Sequence, residues 1–362
     1  MFSIIKIKTM EERLAFIGPL GFYFVNNLKY FFIIHHADLM KKCINHMRGD
    51  WMEAVGESEQ TVMLESADVG RKLTQVCALF MYSGAIFFQA EKMIEPAPVN
   101  SLNVTIRRHI VPRYDYVVDS QISPVYELAY GTHLMYAIFL YTIEVAVCNL
   151  ATVFVGHICG QVQVMRLKLE QLEQCAIYNN HKGIDDFIAS VIQCHVKIFT
   201  GNVRTALSEI CLVEAIYSVG IICWLEFFCL KGLNDSDILS IITYSTLFLS
   251  LSINIFILCY IGEILKNQSE SVAELTYRID WCQIPQRKLS PFILLISMAR
   301  YPRNITAGGM MEMTLGSFGV ENFVRIFPNV ADSHRPGYII FIIILRRKLI
   351  NYDYPEVTNK YN

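Results

Sequence analysis

The chain has 362 residues, 53% of them hydrophobic and only 18% charged, against about 45–50% apolar and about 25% charged for a typical soluble globular domain. This balance favours a polytopic membrane protein. A net charge of −2 with scattered Lys and Arg excludes an extended nucleic-acid surface.

In chain order, the first apolar stretch runs from Leu14 to Ile34 and is long enough to cross a bilayer, which takes about 20 helical residues. Leu73 to Ala90 follows as a shorter span, then Leu134 to Ile158, the cleanest of the set. Ile210 to Leu230 and Ile238 to Ile264 make a fourth and a fifth, joined by the polar turn Lys231–Asp237. Below the third and fourth spans, the stripes Val162, Met165, Leu169, Leu172 and Ile192, Val196, Phe199, Val203, Leu207, Ile210 predict helical extensions packed against other helices.

Orientation follows from the basic residues of the loops. Lys41, Lys42, Arg48, Arg71, Lys72, Arg166, Lys168, Lys182, Lys197, Arg204, Lys266, Arg278, Arg287 and Lys288 fall on one side. Lys92, Arg107, Arg108, Arg113 and Lys231 fall on the other, so the first side is cytoplasmic. The sequons at Asn103 and Asn234 are then outside and open to glycosylation, whereas Asn267 and Asn304 are inside. No secretory signal is visible.

No catalytic motif is present: a G-x-S-x-G elbow, a phosphate-cradling glycine loop and H-E-x-x-H are all lacking, and no enzyme activity is expected. The eleven cysteines sit mostly in apolar segments without a CxxC pair, which predicts buried free thiols and no metal site. Glu144, in the middle of the third span, is a functional candidate because an intramembrane acid is costly. A protonated carboxyl bonded to a neighbouring helix is the plainer reading. Glu214 and Glu226 are adequately explained by solvent access or a structural hydrogen bond. Intramembrane charge otherwise looks sparse, and neither internal repeats nor a charge cluster points to a transporter.

The stretch from Leu275 to Phe318 is the most specific text in the sequence. It holds Asp280-Trp281, the basic pair Arg287-Lys288, an eight-residue apolar run Pro291–Met298, the break Tyr301-Pro302, and Thr306-Ala307-Gly308-Gly309 leading to Leu315-x-x-Phe318. This reads as a cytoplasmic half-helix, a turn and the start of a further helix, and it resembles the C-terminal region of insect odorant receptors, most closely those of ants, bees and wasps. Four earlier stretches share the resemblance: Asn45-His46-Met47 with Asp50-Trp51; Asp119-Ser120-Gln121-x-Ser123-Pro124-x-Tyr126-Glu127; His157-x-Cys159-Gly160-Gln161; and Phe256-x-x-Cys259-Tyr260-x-Gly262-Glu263.

The resemblance implies an all-α, seven-helix membrane bundle with a cytoplasmic N-terminus and an extracellular C-terminus. It implies the odorant-binding subunit of an odorant-gated cation channel, assembled with a shared co-receptor as a heterotetramer in dendritic membranes of olfactory sensory neurons, with no cofactor. Trp281, Thr306, Gly308, Gly309 and Phe318 would belong to the anchor and pore entry. Odorants bind in the outer part of the bundle in this family, which makes the outer aromatics Tyr23, Tyr82, Phe87, Tyr130, His133, Tyr136 and Tyr244 the candidate pocket.

Five regions are expected: an N-terminal segment 1–13, a bundle with cytoplasmic extensions 14–264, an anchor 265–304, the start of the pore helix 305–320 and an atypical tail 321–362. The family's first helix has no counterpart before Leu14, and the tail departs from the family's last helix. Arg325, Pro328, Asp332 and Pro336 would interrupt a span, and Tyr338–Leu345 is too short to cross before Arg346-Arg347-Lys348. A truncated isoform without a working gate is therefore one alternative. A G-protein-coupled receptor is another, although the Asp/Glu-Arg-Tyr and Asn-Pro-x-x-Tyr signatures of that class are absent and the orientation is opposite. A membrane transporter is the third.

Overall fold

The structure is a computed structural model that describes residues 10–54, 56–94, 123–177, 203–278, 296–297 and 305–318. Trp281, Asn103, Asn304, the Ile192–Phe199 stripe, the N-terminal residues before Met10 and the tail from Glu321 lie outside them.

Helix α1 (Met10–His35) is followed by α2 (Ala37–Glu53), α3 (Glu57–Ile94), α4 (Val125–Ile177), α5 (Val203–Asp235) and α6 (Ile238–Tyr277). A hairpin of two short strands, β1 (Thr306–Ala307) and β2 (Met311–Glu312), then precedes the short helix α7 (Leu315–Phe318). Every expected span is helical, and each helix outruns the apolar stretch that revealed it. The 53 residues of α4 would extend about 80 Å at 1.5 Å per residue, far beyond a hydrocarbon core of roughly 30 Å.

Among the described residues, four helices are long and apolar enough to cross a membrane: α3, α4, α5 and α6. The first expected span is not one of them, because Asn26, Asn27 and Lys29 dilute α1. It is nonetheless part of the bundle, packed on α5 and α4. The outer faces of these helices carry Phe24, Phe31, Leu79, Ile86, Met135 and Ile216, all exposed, as befits surfaces that meet lipid rather than water.

Helix α6 is the axis of the bundle. It is the most buried of the four, and it packs on α3, α4 and α5. The turn before it is tighter than expected: α5 continues through Lys231 to Asp235, leaving Ser236, with φ of 54°, and Asp237 to reverse the chain. The Asp237 carboxylate accepts from the Leu239 and Ser240 amides and caps α6.

The α3–α4 contact is built on small residues. A Cβ on Gly156 would lie 3.2 Å from the Ser66 carbonyl oxygen, and one on Gly70 would lie 3.2 Å from that of Thr152. Gly156-x-x-x-Gly160 on α4 and Ser66-x-x-x-Gly70 on α3 thus let two backbones approach closely, which is how helices associate where water supplies no hydrophobic drive. Gly156→Leu should cost about 1–3 kcal/mol by overpacking. Its measurable outcome is a lower melting temperature of the detergent-purified chain, and an unchanged value would refute the tight contact.

Candidate functional site

A cavity opens among α1, α3, α4, α5 and α6. Its wall comprises Gly18, Pro19, Phe22, Tyr23, Met81, Phe88, Gln89, Ala137, Tyr141, Tyr217, Ile221, Trp224, Leu225, Leu247, Ser250 and Leu251. The empty space between these side chains, open mouth included, is about 590 Å³. Apolar and aromatic groups dominate, as expected of a site for hydrophobic ligands.

Trp224 is the central wall element. Its indole N–H donates to the Leu14 carbonyl at 2.7 Å, close to the point where Pro19 interrupts the α1 hydrogen-bond ladder. Gly18 makes room for the ring: a Cβ there would sit 2.5 Å from Trp224 Cζ2. Phe228 and Tyr244 pack on the indole with ring centroids 4.7 and 5.8 Å away.

The seven aromatics singled out in the sequence scatter around this cavity. Tyr23 lines it, and its hydroxyl is paired with His133 Nε2 at 2.9 Å. Tyr136 stands beside Tyr23, with ring centroids 5.6 Å apart, and accepts from Asn27. Tyr244 supports the wall from behind Trp224. Tyr130 stacks on Tyr126, Tyr82 is exposed with its hydroxyl 3.1 Å from Thr142 Oγ1, and Phe87 is exposed; none of the three lines the cavity. Trp224, Tyr217, Tyr141, Phe22 and Phe88 do line it but were not singled out. Their alternation with lipid-facing aromatics on the same helices gave no sequence signal for which ones turn inward.

Beneath the cavity lies a polar cluster drawn from five helices. Lys29 Nζ is 2.8 and 2.6 Å from the two carboxylate oxygens of Glu144 and is also ion-paired with Glu214. Asn254 Nδ2 donates to Glu144 Oε1 at 2.7 Å and to Glu214 Oε1 at 2.9 Å. Cys77 Sγ is 3.4 Å from Asn254 Oδ1. Lys29 is 0% exposed, and Glu144, Glu214 and Asn254 are each 1% exposed, so water screens none of these charges.

The cluster corrects two expectations. Glu144 is ion-paired rather than simply bonded to a neighbouring helix, and intramembrane charge is clustered rather than sparse. Tyr141 and Glu144, Tyr217 and Glu214, and Leu251 and Asn254 are each one turn apart on their helices. In each pair one member lines the cavity and the other joins the cluster, which places the cluster one turn below the cavity wall.

Two further convergences lie at the cytoplasmic end. His157 Nε2 and His46 Nδ1 both reach Asp50 Oδ2, at 3.0 and 3.3 Å, tying two family-like stretches together over a small cavity that includes Trp51 and Gly160. The hairpin docks on the ends of α5 and α6: the Gly308 amide donates to the Ser208 carbonyl at 2.9 Å, and the Leu315 amide donates to Glu263 Oε2 at 3.2 Å. Gly308 and Gly309 take φ of 60° and 73°, a left-handed turn that favours glycine. Thr306 pairs with Glu312, so the helix expected from Ile305 begins only at Leu315. Phe318 ends that helix, and Asn234 is exposed at the α5 terminus.

A family model described as the seven-transmembrane odorant receptor matches residues 9–321. The chain belongs to that family. It is 23% identical over 209 residues to odorant receptor 2a of Drosophila melanogaster, a match covering 54% of this chain and 49% of the relative. It is 22% identical over 160 residues to odorant receptor 10 of Aedes albopictus, covering 44% and 42%. The chain thus spans less than half the length of these two curated relatives.

The fold is that of the insect olfactory receptor OR5 from Machilis hrabei, with a TM-score of 0.66 at 15% identity over 92% of this chain and 84% of that one. The same protein in complex with eugenol gives 0.65 at 15% identity, covering 96% and 84%. The receptor is therefore an all-α, multi-pass membrane protein of this fold.

Proposed function

We propose that the receptor is the ligand-binding subunit of an odorant-gated cation channel that works with a shared co-receptor in the dendritic membrane of olfactory sensory neurons. The observation that carries this reading is the aromatic cavity walled by five helices. A small apolar odorant enters the cavity from the outer side and replaces contacts with water by contacts with Phe22, Phe88 and Trp224. Binding favours the open state only to the extent that the cavity fits the ligand better in that state. The hairpin on α5 and α6 is the mechanical link from the bundle to the pore entry, since it touches two of the five helices that wall the cavity. OR5 of the same fold was solved with eugenol, which supports an odorant as the ligand class here.

The test is co-expression of the full chain with a co-receptor in oocytes under a panel of volatile odorants. A ligand-evoked cation current is expected, and Ala137→Phe, which fills the cavity wall, should raise the half-effective concentration at least about tenfold. A response that requires heterotrimeric G protein, or one indifferent to Ala137→Phe, would defeat the reading.

A further inference from the structure

Among the cavity-wall residues, the Tyr217 hydroxyl stands apart: it is buried and has no hydrogen-bond partner. Of the other wall hydroxyls, two are engaged. Tyr23 is paired with His133, and Ser250 Oγ donates to the Phe80 carbonyl at 2.6 Å. A buried hydroxyl without a partner costs free energy that a ligand oxygen would return.

We propose that Tyr217 is the polar handle of the cavity, selecting small aromatic or aliphatic ligands that carry one hydrogen-bonding oxygen over hydrocarbons of the same shape. The proposal rests on the reading of the cavity as the odorant site. Its geometry is favourable. The Tyr217 ring lies 6.5 Å from that of Phe22, so a ligand packed on Phe22 is within reach of Tyr217. Glu214 is one turn below on the same helix, held by Lys29 and Asn254. Discrimination then comes from a polar group left unpaired when a hydrocarbon binds, the stronger form of selectivity in an apolar site.

The experiment measures binding of two probes to the full chain in nanodiscs by fluorescence, in a Trp51→Phe/Trp281→Phe background that leaves Trp224, which lines the cavity, as the reporting tryptophan. The probes are 1-phenylethanol and cumene, which differ by a hydroxyl against a methyl. Tyr217→Phe removes only the oxygen and preserves the ring packing. It should reduce the preference for 1-phenylethanol over cumene by about three- to tenfold, the worth of one net hydrogen bond. An unchanged preference with both probes still bound overturns the handle and leaves the cavity reading intact. If Ala137→Phe leaves binding of both probes unaltered, or the wild-type chain binds neither, the cavity reading itself fails and the handle with it.

Discussion

Lys29→Met should abolish surface expression of folded receptor. The substitution leaves Glu144 and Glu214 facing each other inside the bundle with no cation, at sites 1% exposed. Removing one partner of a buried ion pair costs about 3–5 kcal/mol, a large fraction of the roughly 5–15 kcal/mol that holds a domain together.

Charge count gives this prediction a sharper form. Glu144→Gln or Glu214→Gln keeps the shape and leaves one carboxylate for the Lys29 ammonium, so each single variant should reach the surface. The double variant strands the ammonium and should fail, whereas Lys29→Met combined with both Gln substitutions should recover much of the expression, because no net charge remains buried. Quantitative surface labelling of the five variants decides the matter. Equal expression of Lys29→Met and wild type would refute the ion-paired cluster.

Gly262→Ala should abolish the odorant-evoked current proposed above while sparing the binding site. Gly262 on α6 sits against the Met313 carbonyl oxygen so closely that an added Cβ would overlap it, and backbone cannot yield as a flexible side chain does. Met313 is 1% exposed, and its amide donates to the Ile305 carbonyl at 3.0 Å, which closes the base of the hairpin. One methyl group therefore displaces the hairpin, along with the Leu315 bond to Glu263. Overpacking of this kind costs about 1–3 kcal/mol. Evoked current should fall at least about tenfold, with odorant affinity in nanodiscs unchanged within about twofold. Normal currents would show that the joint is not part of the gating path.

The sequence made the helices legible because their signal is local. Apolar runs such as Leu134–Ile158 and Ile238–Ile264 have one stable form in hydrocarbon, a helix whose backbone bonds are all internal. The length of the helices was less legible, since their cytoplasmic extensions are amphipathic and lack a hydropathy signal. Thr306-Ala307-Gly308-Gly309 read as the lead into the pore helix, and gave no sign of the strand pairing of Thr306 with Glu312, which depends on docking against α5 and α6.

The binding site was legible only as a class of side chains at one end of the bundle. Tyr23, Tyr82 and Phe87 look alike in sequence, but Tyr23 faces the cavity while the other two face outward. Rotation of each helix about its axis decides this, and neighbouring helices set that rotation. Lys29 is the clearest case: in sequence it merely weakens the first apolar stretch, and only the meeting of α1 with α4, α5 and α6 supplies its two carboxylates and the Asn254 amide.

The sequence alone determined the membrane class, the helical order, the orientation from its basic loops and the family resemblance. All of these are properties of residues near one another along the chain. The tertiary structure decided which aromatics wall the cavity, that one ammonium and two carboxylates from three helices meet inside the bundle, and that Gly262 meets Met313. Each of these rests on contacts between residues dozens to hundreds of positions apart, whose free energy exists only once the helices are packed.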